Sequence, residues 1–503
     1  MNSNKRLVKN TLYLYLRMLV VMAVGFYATR EILKLLGVVD YGIYNVVGGI
    51  VAMFSFVNST LTTSSQRYFS IELAKGDLKR LNQWFCLNIT TFSIFIAIFI
   101  LVSETIGLWF INTQLTIPVE RLFAANVVYQ LSILTFCIHF FCIPYSALIV
   151  AHEKMNAFAY ISIVEAFFKL AIVFLLSIIT WDRLILYAIL MCLSSLVITS
   201  SYMIYNRKHF SESKYNLYWN KTECLELIGF SGWHLLGTFS TVIRSQGINI
   251  LINLFFNPAV NAARAVSFQL YHAISQLSSN FFVAVKPQIY KNYANGEYDE
   301  LHKLIFRSTI ICSYLIALVV FPILSNTSYL ISLWLKEIPE YTVAFTQLVL
   351  INGLIDSTNG PTIASALATG RIRTYQLIVS SINLANFPLA YLALYNGAEP
   401  TVTVLISIIL SLVSVVVRGY LLKNMIEFPY TRYLYLFFRL VMANLFIWGG
   451  IYFTIYNKIN NFPIIIVTSI LILIVITLTY MFLVCDKYER NNILLFLKRK
   501  CRR

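Results

Sequence analysis

Several ionisable residues of this 503-residue chain sit inside apolar stretches, where hydrocarbon would not solvate them, and seven of them could do chemistry. Three are arginines: Arg17, Arg244 and Arg264. Arginine suits phosphate because its planar fork donates two parallel hydrogen bonds. Arg17 stands about seven residues, or roughly 10 Å, into its helix. Its long side chain either snorkels to the nearer surface or faces a cavity. Arg244 and Arg264 belong to neighbouring helices, at similar depth towards the outer face, where they either snorkel outward or face protein or water. Glu165 and Lys169 are four residues apart, so they share a helical face and pair, as a buried brace, an ion-coupling site or both. His139 and Asp356 each stand five residues before a proline, Pro144 and Pro361. Asp356 opens DSTNGP, a polar run that weakens a helix. Burial makes a carboxylate hold its proton more tightly, so Asp356 is a candidate for proton coupling. The alternative is a hydrogen-bonded kink.

The elements that must position these groups are membrane helices. The composition is 58% hydrophobic and 12% charged, against about 25% charged in soluble proteins. Apolar runs of about twenty residues recur along the whole chain, so the expected class is an all-α polytopic membrane protein. A β-barrel would show short alternating segments instead. Fourteen spans are expected, near 10–30, 42–65, 85–110, 122–150, 157–179, 184–205, 224–252, 258–284, 304–325, 341–368, 374–396, 400–422, 433–456 and 462–485.

With the N-terminus inside, 27 of the 39 Lys and Arg fall in cytoplasmic segments and six in outer loops. The remaining six lie within spans: Arg17, Lys169, Arg244, Arg264, Arg418 and Arg439. This positive-inside bias accounts for most of the +17 net charge without a nucleic-acid partner. Arg418 and Arg439 lie near cytoplasmic ends and read as snorkelling. Trp109, Trp181, Trp334, Trp84 and Trp219 fall at span ends, as an aromatic belt would. The eight cysteines form no CxxC and no cluster with histidine, and read as apolar packing residues. There is no GxxxxGK[ST] and no loop large enough for a catalytic domain, so no catalytic, metal or cofactor site is expected and the chain reads as a non-enzyme. The basic N-terminus followed by a long apolar run reads as an uncleaved first helix.

The sequence also repeats itself. HFFCIPYSALIVA (139–151) aligns with DSTNGPTIASALA (356–368) at an offset of 217, bringing Pro144 onto Pro361 and Lys154 onto Arg371. AKGDLKRL (74–81) aligns with ANGEYDEL (294–301) at 220, and Leu108-Trp109 with Leu333-Trp334 at 225. Three matches in one order at nearly one offset mark a six-helix duplication with both halves in the same topology. The expected organisation is an N-lobe of helices 1–6 (1–206), a cytoplasmic linker (207–223), a C-lobe of helices 7–12 (224–423), and helices 13–14 with a basic tail (424–503). Parallel repeats of this kind suggest a transporter with its site at the repeat interface.

With these features, the segments LLGVVDYGIYNVVGGI (35–50), QRYFSIELAKGD (66–77), AHEKMNAFAYISI (151–163) and ATGRIRTYQLIVS (368–380) resemble those of the multidrug/oligosaccharidyl-lipid/polysaccharide (MOP) exporter superfamily. Within it the chain looks most like the Wzx-type polysaccharide flippases. The resemblance spans nearly the whole chain. It implies two pseudo-symmetric lobes in a V, with a central cavity lined chiefly by helices 1, 2, 7 and 8, which makes Arg244 and Arg264 cavity-facing and suits them to a diphosphate that needs compensation in a low-dielectric path. The implied cargo is an undecaprenyl-diphosphate-linked oligosaccharide for O-antigen, capsule or exopolysaccharide. It would cross the bacterial inner membrane by alternating access, with both termini cytoplasmic. H+ or Na+, membrane lipid and a polysaccharide polymerase complex are the further expected partners. A drug exporter of this fold, handling organic cations, would line its cavity with acids. Arg17, Arg244 and Arg264 argue against that. A lipid II flippase would share both fold and charge. A membrane polymerase or ligase would need a large periplasmic catalytic loop.

Overall fold

The structure, a computed structural model, describes residues 3–52, 55–113, 118–179, 181–256, 258–334, 338–454 and 462–484. Cys485, Cys501, Asn257 and the basic tail from Lys487 to Arg503 lie outside the described residues. The described chain is helical, without strands. Ten helices are long and apolar enough to cross a membrane. The protein is an all-α polytopic membrane protein.

The chain separates into two compact units, Met1–Leu235 and Leu236–Arg503. The first holds α1 (Ser3–Ala52), α2 (Ser55–Lys75), α3 (Leu78–Val102), α4 (Leu108–Thr113), α5 (Leu122–Ala151), α6 (Met155–Ile178) and α7 (Arg183–His209). The division falls inside α8 (Lys221–Phe255). The second unit continues with α9 (Pro258–Ala294), α10 (Tyr298–Ser325), α11 (Thr327–Trp334), α12 (Thr342–Asp356), α13 (Asn359–Thr369), α14 (Arg373–Tyr395), α15 (Val402–Ile426), α16 (Tyr430–Thr454) and α17 (Phe462–Thr479).

These elements correct the expected boundaries in two places. Residues 31–41 are not a loop. α1 runs through them and turns at Gly37, where φ is 77° and the helical path is interrupted. A side chain there would meet the β-carbon crowding that glycine avoids. The single span expected over 341–368 is two helices, broken at Ser357 and Thr358 within the DSTNGP run.

Among the longer helices, α2, α8 and α9 fall outside the ten apolar spans. They are rich in serine, threonine, asparagine and glutamine. Many of their hydroxyls are satisfied locally. Ser64 donates to the Thr60 carbonyl (3.0 Å), Ser65 to Leu61 (2.9 Å) and Ser267 to Ala263 (2.9 Å). Such i−4 bonds let a polar helix exist where water is scarce. Polar faces of this kind must still look onto protein or an aqueous path.

In the first unit α1 packs on α6, α2 on α5, and α5 on α7. Phe92, Tyr129, Phe136 and Phe140 centre the core there. In the second unit α9 packs on α10 and α12, and α14 on α15, around Ile248, Ile252, Phe345 and Val349. α16 and α17 attach to α10. The six described cysteines are all buried. Trp84 is 3% exposed and stacks on Tyr68 at 4.0 Å, so it belongs to the core and not to a belt. Its aromatic neighbours outcompete the interface for it.

The duplication is visible in the backbone. Gly76 and Gly296 both adopt left-handed angles, φ 74° and 73°, and close the same turn. Asp77 N–H donates to the Glu72 carbonyl, and Glu297 N–H to Asn292. At the other repeated turn Glu153 (φ 57°) stands where Gly370 (φ 74°) stands. These are the helix C-terminal turns that residues of positive φ terminate.

The segment after α7 is held against the first unit. Asn82 donates to the carbonyls of Glu212 and Lys214, both at 2.7 Å. His152 Nε2 lies 2.6 Å from Glu212 Oε1. Burial alone raises the Glu212 carboxyl, but hydrogen bonds from His152, its own backbone and Ser211 outweigh it and hold the group below its usual value. Glu212 therefore contributes stability above the ordinary carboxylate range that is lost as pH falls through its depressed folded value. Acid titration of the purified protein should release this segment below about pH 4.5, read by protease cleavage near 210–220. Glu212→Gln should remove that acid-sensitive step. Unchanged acid sensitivity in the variant would refute the assignment.

Candidate functional site

Each unit gathers its own set of the ionisable residues. In the first, Arg17 comes from α1, His139 from α5, and Glu165 and Lys169 from α6. The Arg17 guanidinium lies 4.8 Å over the Phe158 ring, and its Nε is buried without a protein acceptor. It feels the charge of Glu165 and the hydroxyl of Tyr202 on α7. Lys169 Nζ lies 3.4 Å from Glu165 Oε1, and the two side chains keep 39% and 38% of their surface exposed. The pair exists, but it is not the buried brace that was one reading of the spacing: its face of α6 is open. His139 is exposed and lies in the field of both Glu165 and Lys169. Four ionisable groups from three helices thus form one electrostatic cluster of mixed sign. Tyr202, which closes it from α7, carried no signal in the sequence.

In the second unit the arginines leave α8 and α9. Arg244 reaches to Asn383 Oδ1 on α14 (3.4 Å) and to the Ser407 carbonyl (3.1 Å) and Ser411 Oγ (3.0 Å) on α15. Asn383 itself donates to Ser240 Oγ at 3.4 Å. Arg264 is 4% exposed and is held by Asn249 Oδ1 and the Ser245 carbonyl. Its guanidinium stacks 4.2 Å over Phe268, and its Nε is buried without a protein acceptor. All of these acceptors are neutral. Two positive charges inside one helical unit are therefore bonded to neutral dipoles and a ring face. Desolvating a charge on such terms is costly, so the arrangement has to be explained by something other than stability.

Asp356 closes α12 at the break. Asn352 Nδ2 donates to its Oδ2 at 2.9 Å, and Asn359 Nδ2, from the start of α13, reaches its Oδ1 at 3.4 Å. The carboxylate thus ties the two half-helices together. Tyr271 on α9 feels the charges of both Asp356 and Arg244. Its ring lies so close to α12 that a β-carbon on Gly353 would come within 2.7 Å of it. Glycine at 353 is what lets the ring approach. The structure thus brings Arg244, Tyr271 and Asp356 into one polar interior, with Arg264 reaching the same turn of α8 through Ser245.

Arg418 corrects another expectation. It does not snorkel. It is 8% exposed, with Nε 2.9 Å from Ser414 Oγ and its fork on the Tyr375 hydroxyl. A hydroxyl on α14 lies within reach, which spacing along α15 could not show. Arg439 Nε donates to the Leu483 carbonyl at 2.6 Å, in the turn that follows α17.

No family model matches the chain, and no curated protein matches it. Solved structures do. A MATE protein in its bent conformation superposes with a TM-score of 0.70 at 12% identity, covering 84% of this chain and 98% of its own. The chain has the fold of the MATE transporters. A mutant of the Vibrio cholerae MATE transporter VcmN gives a TM-score of 0.67 at 16% identity, covering 84% of this chain and 97% of its own. A MOP superfamily transporter from Pyrococcus furiosus gives 0.67 at 11%, covering 84% and 99%. That protein is described as having a binding pocket of reverse polarity that suggests a different function.

Proposed function

We propose that this protein is a MOP superfamily transporter that moves an anionic, lipid-linked substrate, undecaprenyl-diphosphate-linked oligosaccharide, across the bacterial inner membrane by alternating access. The single observation that carries the reading is the pair Arg244 and Arg264, charges held inside the second unit by neutral groups only. A cation exporter gains nothing from such charges and is repelled by them. A diphosphate gains charge-assisted hydrogen bonds that are roughly twice as strong as neutral ones. Arg17 adds a third guanidinium in the first unit. The Pyrococcus furiosus protein supports the idea that one fold serves pockets of opposite polarity. Arg264 is sealed in the described conformation, so the substrate meets it in another state of the cycle. Net movement needs a bias between the states, supplied by H+ or Na+ or by removal of product, for example by a polysaccharide polymerase. The positive-inside bias supports cytoplasmic termini.

The test is flipping in vesicles. Purified protein in proteoliposomes should make a labelled lipid-linked oligosaccharide accessible at the opposite leaflet, under an imposed proton or sodium gradient. A lipid II competitor should slow it only weakly. Strong competition by lipid II would instead favour a peptidoglycan-precursor flippase. Transport of an organic cation with no flipping under either gradient would overturn the proposal in favour of a drug antiporter.

A further inference from the structure

Apart from its charged residues the second unit holds a cavity of about 200 Å³ between α10, α12, α15 and α16. Its walls are apolar: Phe321 and Leu324 of α10, Leu354 of α12, Leu412 of α15, and Leu440 and Leu445 of α16. Among the described residues no charged side chain lines it. Its polar members, Ser313, Thr358 and Asn444, are bonded to protein. The Tyr480 hydroxyl lies 2.8 Å from Ser313 Oγ and donates to Asn444 Oδ1 at 2.9 Å, and Thr358 donates to the Ile355 carbonyl at 2.7 Å. Water needs several polar partners to stay in such a space. Cavities of about 150 Å³ walled by Leu, Ile and Phe stay dry and take apolar ligands. Left empty, the walls forfeit their dispersion contacts.

The source of an apolar occupant is read from α16, which is long and apolar enough to cross a membrane. Tyr435, Phe438, Met442, Leu445, Phe446 and Phe453 are 48–79% exposed. Their helical spacing sets them on one stripe. In a membrane protein an exposed stripe of large apolar side chains is covered by hydrocarbon. Leu445 belongs both to the stripe and to the cavity wall, so the cavity borders the lipid. We propose that it takes the end of a phospholipid acyl chain from the surrounding bilayer. A headgroup would lose its hydration among these walls and find no charge to pair with. A chain end is slender, flexible and apolar along its length, and it needs no polar partner. Thr358, in the wall, stands at the break between α12 and α13. A chain seated here braces α16 against the broken helix. The site uses none of the residues assigned to the transported substrate.

Photolabelling tests it. Full-length protein is reconstituted in phosphatidylcholine vesicles containing a phosphatidylcholine whose acyl chain ends in a diazirine, and the labelled residues are mapped by mass spectrometry. Phe321 and Leu324 are each 1% exposed, so a chain reaches them only from within the cavity. The wild type should be labelled at these two or at Leu354, as well as along the α16 stripe. Val441 also lines the cavity. Val441→Trp should lower the inner labelling about tenfold, since the chain loses the void it fills, and leave labelling of the stripe unchanged. Wild-type labelling confined to the stripe would overturn the proposal, whatever the variant does. So would inner labelling that persists undiminished in a folded Val441→Trp protein. Loss of the inner label to an excess of undecaprenyl phosphate would overturn it in favour of a prenyl-chain site. No flipping is measured, so failure here and failure of the proposed function are told apart.

Discussion

Arg264→Met should abolish flipping while leaving the protein as stable as the wild type, or more so. A buried charge held by neutral acceptors pays a desolvation cost that no carboxylate repays. Replacing such a charge with an apolar side chain of similar volume is often neutral or stabilising. Methionine fills the space beside Phe268 and keeps a favourable contact with the ring. What it removes is the only cationic group on α9 in the polar interior near Asn249 and Ser245. If the guanidinium holds a diphosphate during part of the cycle, it supplies a charge-assisted bond or two, each worth about 1.5–3 kcal/mol. The flipping rate should then fall by a hundredfold or more. Arg264→Lys keeps the charge but not the fork, and should lose about tenfold. The two measurements are the melting temperature and initial flipping rate of the same preparation. Flipping within threefold of wild type in Arg264→Met would remove Arg264 from the substrate path. A fall in both quantities together would assign it a structural role.

The positions of the membrane helices were legible because lipid imposes one strong rule, a long apolar run, and most of the long helices obey it. Polar residues weaken the rule in α2, α8 and α9, which fall outside the ten apolar spans. The break between α12 and α13 was readable from DSTNGP, since the residue types name the weakness. The turn at Gly37 was not, because one glycine in an apolar run has many uses. The charged members of the candidate site were readable for the same reason: a charge in lipid is expensive and visible. Their partners were not. Asn383, Ser411, Tyr202 and Tyr271 are ordinary neutral residues, and membrane helices carry dozens of these bonded to their own backbone. Only the packing of α14, α15 and α7 shows which of them face a guanidinium. Arg418 illustrates the limit: depth along a helix suggested an exit to water, while the Tyr375 hydroxyl on a neighbouring helix holds the side chain inside.

Asp356→Asn should uncouple transport from an imposed pH gradient. In the structure both carboxylate oxygens accept from amides, Asn352 before the helix break and Asn359 after it. A proton on either oxygen would turn an acceptor towards a donor and loosen one of the two ties. Asp356 sits at the junction of α12 and α13, so a proton there would act on the tie between the two half-helices. One proton moving down a gradient of one pH unit supplies about 1.36 kcal/mol, so a singly coupled transporter gains at most about tenfold in the accumulation ratio it sustains. The wild type should show a rise of that order. The asparagine variant, fixed in the shape of the protonated acid, should show none, while flipping without a gradient persists at a reduced rate. A merely structural aspartate behaves differently: its loss lowers the rate by the same factor at every gradient and leaves the response to pH intact. His139→Asn supplies the internal comparison, because it occupies the equivalent place in the other repeat within the open cluster of Glu165 and Lys169. If the pH response survives in Asp356→Asn and disappears in His139→Asn, proton coupling belongs to the first unit and the broken helix serves the path of the substrate alone.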